Sequence, residues 1–486
     1  MFLSEIIFNS SEPLYLQIET QIIKMIEENM LVEGSKLPST RELSEILKVS
    51  RNSCMHAYEL LEDKGYIKVI KGKGAYVFSG FENKKLGWVI DWNTKISNYG
   101  KRALELDIVK NEAVTKKNMI SFKSIAPDEK LFNLEQIRRD FLNSISFEGE
   151  KIFNYGYAMG YKPLLDKLKE YVKNKGIDLL NKEVIITNGF TEGFDITLAA
   201  LTNKGDLVLC ENPTHNTAIK LMRLHGLEIH GVDIDENGIN LAELQEKLAK
   251  NKYKLIYLIP SYHNPTGTVM SADKRMKVYK LCKKNNLPII EDGFNEELLY
   301  SSSHVASIAA LATEDNSVVY IGSFSKILFP GIRIGWIVAD KNLISSLESI
   351  KRSRNIHSSV LDQAFLYEFL KSGDYGAYLK RARKHYREKY IFIMNLTKIY
   401  LSNCKIYGEG GLHIFIKLYN IDARSLLDLV MRHGAIFMPG DVFYVDEKGK
   451  DTLRLGFSRL SLQDIEKGIK ILGKCIDELS ANHKIE

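Results

Sequence analysis

Along the first 80 positions the apolar residues fall at helical spacing and then switch to short runs. Leu16, Ile18, Ile22, Ile23, Met25 and Ile26 mark one face of a helix within residues 13–30, which Gly34 and Pro38 bring to an end. Ser39 followed three residues later by Glu42 predicts a capping box for a helix through Leu47. Ser50 predicts the cap of a second helix, Arg51 to Lys64, terminated by Gly65. Tyr66–Ile70 and Ala75–Phe78 read as strands joined by the basic, glycine-rich turn Lys71-Gly72-Lys73-Gly74. From Ile120 onward, apolar runs alternate with amphipathic helical stretches. The runs Val184–Thr187, Leu207–Cys210, Leu255–Ile259, Ile289–Glu291 and Val318–Ile321 predict an α/β fold with a doubly wound, mostly parallel sheet. Beyond about Leu361, a charged helix (Lys380–Tyr390) followed by alternating strands and helices predicts a smaller C-terminal α+β lobe. The organisation expected is a domain at 1–80, a linker at 81–118 and a second domain at 119–486. Within the linker, Trp88–Trp92 is apolar enough to dock, and the stretch from there to Lys110 reads as helix.

A chain of 486 residues is too long for one ordinary core, and 45% hydrophobic with 26% charged residues is normal for a globular protein. Formal net charge is +6, yet residues 1–80 hold nine Lys/Arg against eleven Asp/Glu. Bulk charge therefore gives no reason to expect nucleic acid there; distribution does. Between Lys48 and Val77 six bases face three acids, gathered where a second helix and a hairpin tip fall. The five cysteines are scattered without metal-ligand spacing and read as reduced thiols, so a cytoplasmic protein without a metal site is expected. The first eleven residues lack a basic signal-peptide region, and no apolar run approaches the ~20 residues of a membrane span.

The chemistry gathers at strand ends, where α/β proteins place it. Gly322–Trp336 reads GSFSKILFPGIRIGW and follows a buried strand. Lys326 there can form an imine with an aldehyde cofactor, while Ser323, Ser325 and Arg333 can hold a phosphate. A second strand runs into Asn188-Gly189-Phe190-Thr191, whose free backbone N–H groups and Thr191 hydroxyl make a phosphate cup. His215, after a third strand, can stack on a pyridine ring, and Asn264 in the Asn264-Pro265-Thr266-Gly267 turn can donate to a phenolate oxygen. Asp292 at another strand end can pair with a pyridine nitrogen, and Arg454, in an apolar strand, needs an anion such as a substrate carboxylate.

Two resemblances sharpen these readings. PLYLQI, LPSTRELSEILKVSRNS and AYELLEDKGYIKVIKGKGAYV resemble the winged helix-turn-helix of the GntR regulators. That resemblance implies double-stranded operator DNA as a partner. It puts Ser39 and Arg41 near phosphate or base edges, Ser50, Arg51, Asn52 and Ser53 at the start of the recognition helix, and Lys71 and Gly72 in the wing; Arg51 is the expected direct reader. Met55 stands where some members have arginine. From Ile120 onward, the ordered set of motifs resembles the class I/II aminotransferases of fold type I. This implies pyridoxal 5′-phosphate bound as an imine to Lys326 and contacted by Asp292, Asn264, His215, Phe190, Thr191, Ser323, Ser325 and Arg333. It implies Arg454 on a substrate carboxylate and Tyr155 reaching a second subunit's phosphate in a homodimer. Phe294 departs from a tyrosine that bonds the ring oxygen, His215 from the usual aromatic. The fusion of the two resembles the MocR regulators, which implies a transcriptional regulator sensing the cofactor, an amino acid or an amine. A working aminotransferase that carries a DNA-binding module is the alternative, with Phe294 arguing for weak or vestigial turnover; a cofactor-free dimerisation scaffold is the third reading.

Overall fold

The structure, a computed structural model, describes residues 8, 12–78, 90–293, 295–300, 305–313 and 315–482. Trp88, Val89 and Phe294 lie outside that set. The chain divides into two units, Met1–Ile96 and Ser97–Glu486.

In the first unit Leu14–Glu27 buries Ile18, Ile22 and Met25 on one face. The capping box forms: Glu42 N–H donates to Ser39 Oγ at 3.2 Å and Ser39 N–H to a Glu42 carboxylate oxygen at 2.7 Å, opening Thr40–Leu47. Lys48 then takes the left-handed conformation (φ 53°), turning the chain into Arg51–Asp63, which Ser50 caps through the Ser53 N–H at 3.1 Å. Strands Ile67–Ile70 and Gly74–Val77 pair antiparallel, Ile67 opposite Val77. Leu43, Leu47, Cys54, Ala57, Leu61, Ile67 and Val77 join the first helix in one apolar core.

The second unit is built on an eight-stranded sheet. Its order is Lys182–Thr187, Gly335–Asp340, Val318–Ser323, Ile289–Asp292, Leu255–Leu258, Leu207–Asn212, Glu228–Asp235, Gly238–Ile239. The run from Val318–Ser323 through Glu228–Asp235 is parallel, whereas Gly335–Asp340 is antiparallel to both neighbours. Thr187, Asp292 and Ser323 thus end at one edge of the sheet.

A four-stranded antiparallel sheet, Lys405–Tyr407, His413–Lys417, Thr452–Gly456 and Met438–Pro439, forms the small lobe. Its core differs from the division at about Leu361. Val360–Lys371 places Phe365, Leu366 and Phe369 in the large core, and the long helix Asp374–Tyr400 enters the small-lobe core only from Ile393. Ile120 and Phe122 also belong to the small lobe, since Ile120–Ser121 pairs with Ala435–Ile436.

The stretch expected to be one helix up to Lys110 is three short ones, Trp92–Lys95, Asn98–Glu105 and Ile108–Asn111. The segment from Ser97 holds to both lobes. Arg102 donates to the Arg223 carbonyl at 3.0 Å on the large lobe, and Glu112 pairs with Arg424 at 2.9 Å on the small lobe. No helix among the described residues is long and apolar enough to cross a membrane, and no group of side chains among them forms a metal-ligand cluster.

Candidate functional site

Lys326 lies on the turn after Val318–Ser323. That turn is fixed by the buried Phe324 ring, 4.8 Å from Trp336, and by Tyr378, whose hydroxyl donates to the Ile327 carbonyl at 2.6 Å. Burial, then the Arg454 and Arg333 charges, lowers the Lys326 pKa to about 8. The neutral amine that a nucleophilic lysine requires is therefore easier to reach than on an ordinary lysine.

One wall of the site is an anion cradle. Arg333, itself left-handed (φ 52°), donates to Ser325 Oγ at 3.2 Å and to the Asn188 carbonyl at 3.0 Å. Ser325 N–H donates to Ser323 Oγ at 3.2 Å. The helix Gly189–Leu201 begins beside them, so the N–H groups of its first turn add their dipole. The approach needs Gly189: it has φ +77°, and a Cβ there would lie 2.8 Å from the Arg333 guanidinium.

Opposite, Asp292 accepts from the Tyr257 hydroxyl at 2.8 Å. Burial drives its pKa up to about 7; the Tyr257 bond opposes this, and the Glu296 and Glu291 charges add to it. No basic side chain among the described residues pairs with it. His215 stands at the N-terminus of Asn216–Leu224, half-buried, with its ring centroid 5.3 Å from that of Phe190. Burial first, then Lys326, Arg454 and His263, pushes its pKa down to about 3, so the ring is neutral. Asn264 accepts from Arg454 at 2.8 Å, leaving its NH2 group without a partner among the described residues. Arg454 stacks 4.7 Å over Phe443, pairs with no carboxylate among the described residues, and is held down to about 9 by burial.

Eight of the expected residues line one cavity of about 180 Å³. Phe190, Thr191, His215 and Asp292 line it, as do Ser323, Ser325, Lys326 and Arg333. Asn264 and Arg454 form a pair outside that lining. Tyr155 is not gathered in: it is 82% exposed, with its ring edge-on to His357. Sequence reasoning missed Tyr257, Asn295 and Thr217. None of the three belongs to a motif, and Tyr257 sits in an apolar strand where a ring reads as ordinary filling. A second cavity, about 590 Å³, shares Thr191 and Thr217 with the first and is walled by Leu106, Asp107 and Ile108 of the linker.

In the first unit, Arg51 and Asn52 are exposed at the start of their helix, and Lys71 and Gly72 at the hairpin tip. Arg41 is exposed and faces Glu45 at 3.6 Å. The Ser39 and Ser50 hydroxyls serve as helix caps, the latter also bonded to Ser53 Oγ at 2.8 Å.

The aminotransferase class I and II family profile matches residues 125–472, and that of the bacterial regulatory proteins of the gntR family matches residues 14–77. The uncharacterized HTH-type transcriptional regulator YdfD of Bacillus subtilis is 27% identical over 481 residues, covering 96% of this chain and 97% of that protein. The 2-aminoadipate transaminase of Thermus thermophilus is 29% identical over 368 residues, covering 75% of this chain and 91% of its own. Among solved structures, the multiple substrate aminotransferase of Thermococcus profundus superposes with a TM-score of 0.76 at 25% identity, covering 81% of this chain and all of that one.

Proposed function

Because this chain belongs to the aminotransferase class I and II family and carries a gntR-family domain ahead of it, we propose that it is a transcriptional regulator of the MocR type. In this reading it binds operator DNA through the winged helix and senses pyridoxal 5′-phosphate, or an amino acid captured by it, in the second unit. The observation that carries the proposal is the single cavity holding an amine of lowered pKa, an uncompensated carboxylate and an anion cradle.

Those residues fit the cofactor, which when bound would supply an aldehyde that captures an amino group. Lys326 offers the amine for covalent attachment. Arg333, Ser325, Ser323 and the Phe190–Thr191 turn would hold the phosphate, and the neutral His215 ring would stack on the pyridine. Asp292 would pair with a protonated ring nitrogen, and the unpartnered Asn264 NH2 would be available to the ring oxygen. Arg454 receives the ligand carboxylate. Tyr155, with Phe147, Phe153 and Tyr157, is 70–82% exposed along one stretch of chain, which suits burial against a second copy. Arg51 and Asn52 meet base edges, and Arg41, Lys71 and Gly72 meet the backbone.

Sensing requires that ligand favour one arrangement of the protein over another, by a coupling of about 1–3 kcal/mol. The linker walls supply a place for that difference, because a ligand side chain leaving the cofactor cavity past Thr191 and Thr217 meets Leu106 and Ile108.

The test is a footprint on DNA upstream of its own gene with and without pyridoxal 5′-phosphate and candidate amino acids. The expected result is protection whose affinity changes roughly 5–150-fold with ligand in the wild type and not in Lys326→Ala. The intact Lys326–Asp292–Arg454 set favours a second reading, a working aminotransferase with a DNA-binding module. Robust transamination together with DNA affinity indifferent to ligand would establish that reading and overturn the first.

A further inference from the structure

Three residues beyond Asp292, the chain enters the wall of the cofactor cavity with an asparagine that no motif reading selects. Asn295 is 1% exposed, lines the same cavity as Lys326, Asp292 and Ser323, and has a left-handed backbone with φ 55°. Neither its Nδ2 nor its Oδ1 has a hydrogen-bond partner among the described residues. A buried amide left unmatched is costly, and a freely moving side chain would turn toward a partner or water.

The chain that follows Asn295 is anchored. The next two residues, Glu296 and Glu297, are buried and both pair with Lys175, the former at 3.0 Å. Tyr320 donates to Glu296 at 3.0 Å, and Arg383 Nε donates to the Glu297 carbonyl at 2.6 Å. The backbone that carries this cavity-lining residue is therefore anchored on its C-terminal side.

We propose that Asn295 is a contact of the bound cofactor, its side-chain NH2 donating to the ring's phenolate oxygen. The inference rests on the cofactor reading above and adds a residue and a property to it. An amide donates but does not ionise. It therefore stabilises the phenolate more weakly than a phenol would, and sets the pH at which the bound cofactor's visible absorbance changes.

The alternative is that an asparagine stands here only because it tolerates the left-handed backbone. Asn295→Gly separates the two, since glycine keeps that backbone freedom and removes the amide. Asn295→Asp keeps the shape and replaces the donor by an acceptor. Full-length protein is titrated with pyridoxal 5′-phosphate, and the absorbance of the loaded protein is followed against pH. Expected for Asn295→Gly are roughly tenfold weaker cofactor binding and a midpoint raised by about one pH unit, because loss of the donor leaves the phenolate charge to hold the neighbouring proton. Asn295→Asp raises it further. The cofactor-free thermal midpoint of Asn295→Gly stays at or near wild type. Wild-type affinity and midpoint in both variants would overturn the Asn295 contact and leave the cofactor reading standing. A wild-type protein that takes up no cofactor would overturn both.

Discussion

Replacing Asp292 by asparagine removes a charge without changing the shape of the side chain, and its consequences should reverse when the cofactor is added. In the free protein the carboxyl is raised from an ordinary 3.8 to about 7, with burial as the main cause. A raised acid costs the folded state nothing below the unfolded pKa. The cost grows as pH climbs from about 4 to about 7, where the unfolded chain releases a proton that the folded one keeps, and is constant above that. Each pH unit is worth about 1.4 kcal/mol, so the plateau approaches ~4 kcal/mol as an upper bound that local relaxation reduces. Thermal unfolding of the cofactor-free protein between pH 4 and pH 8 reads this directly. Asp292→Asn should match wild type at the acid end and become the more stable protein by a few degrees near pH 7, because the Tyr257 hydroxyl still has an oxygen to donate to. With pyridoxal 5′-phosphate present the order should invert, since the variant has no anion for the ring nitrogen and binds at least tenfold more weakly. A stability difference that does not vary with pH would show that Asp292 is not a stranded carboxyl. Equal cofactor affinity would remove it from the site.

Two further outcomes are expected. Gly189→Ala combines a disfavoured left-handed backbone of about 1–2 kcal/mol with displacement of the Arg333 guanidinium 2.8 Å away, so phosphate-bearing ligand should bind 10–100-fold more weakly in a binding titration while the winged-helix unit melts unchanged. Arg51→Ala should weaken specific operator binding much more than non-specific binding in competition assays; equal loss on both would show that Arg51 touches only phosphate.

What could be read from the chain was what it encodes locally or at strand ends. Ser39 and Glu42 lie three residues apart and make their box without help from elsewhere. Lys326, Asp292 and Phe190 were legible because each directly follows an apolar run, and parallel strands bring their ends to one edge. Where a residue's role depends on a distant partner, the chain gave little warning. Tyr257 is 35 positions from the Asp292 it bonds, and Ile120 and Phe122 join a core whose other buried residues begin at Ile393. The strand Gly335–Asp340 lies within the stretch around Arg333, yet nothing in its apolar run revealed that it turns back antiparallel to both neighbours. Asn295 shows a further limit. Its interest lies in having no partner, which only a three-dimensional arrangement can reveal.

The two anchors of the linker have a mechanical consequence. Arg102 is fastened to one lobe and Glu112 to the other, with only nine residues of chain between them. The span is helical, and Ile108 within it packs on the small lobe, so it does not follow a hinge motion as loose chain would. If the small lobe rotates against the large sheet, either an anchor slips or the helices between them tilt. The segment is thus a strain gauge glued across a joint. Lengthening it by a few glycines would leave both lobes intact and silence the gauge.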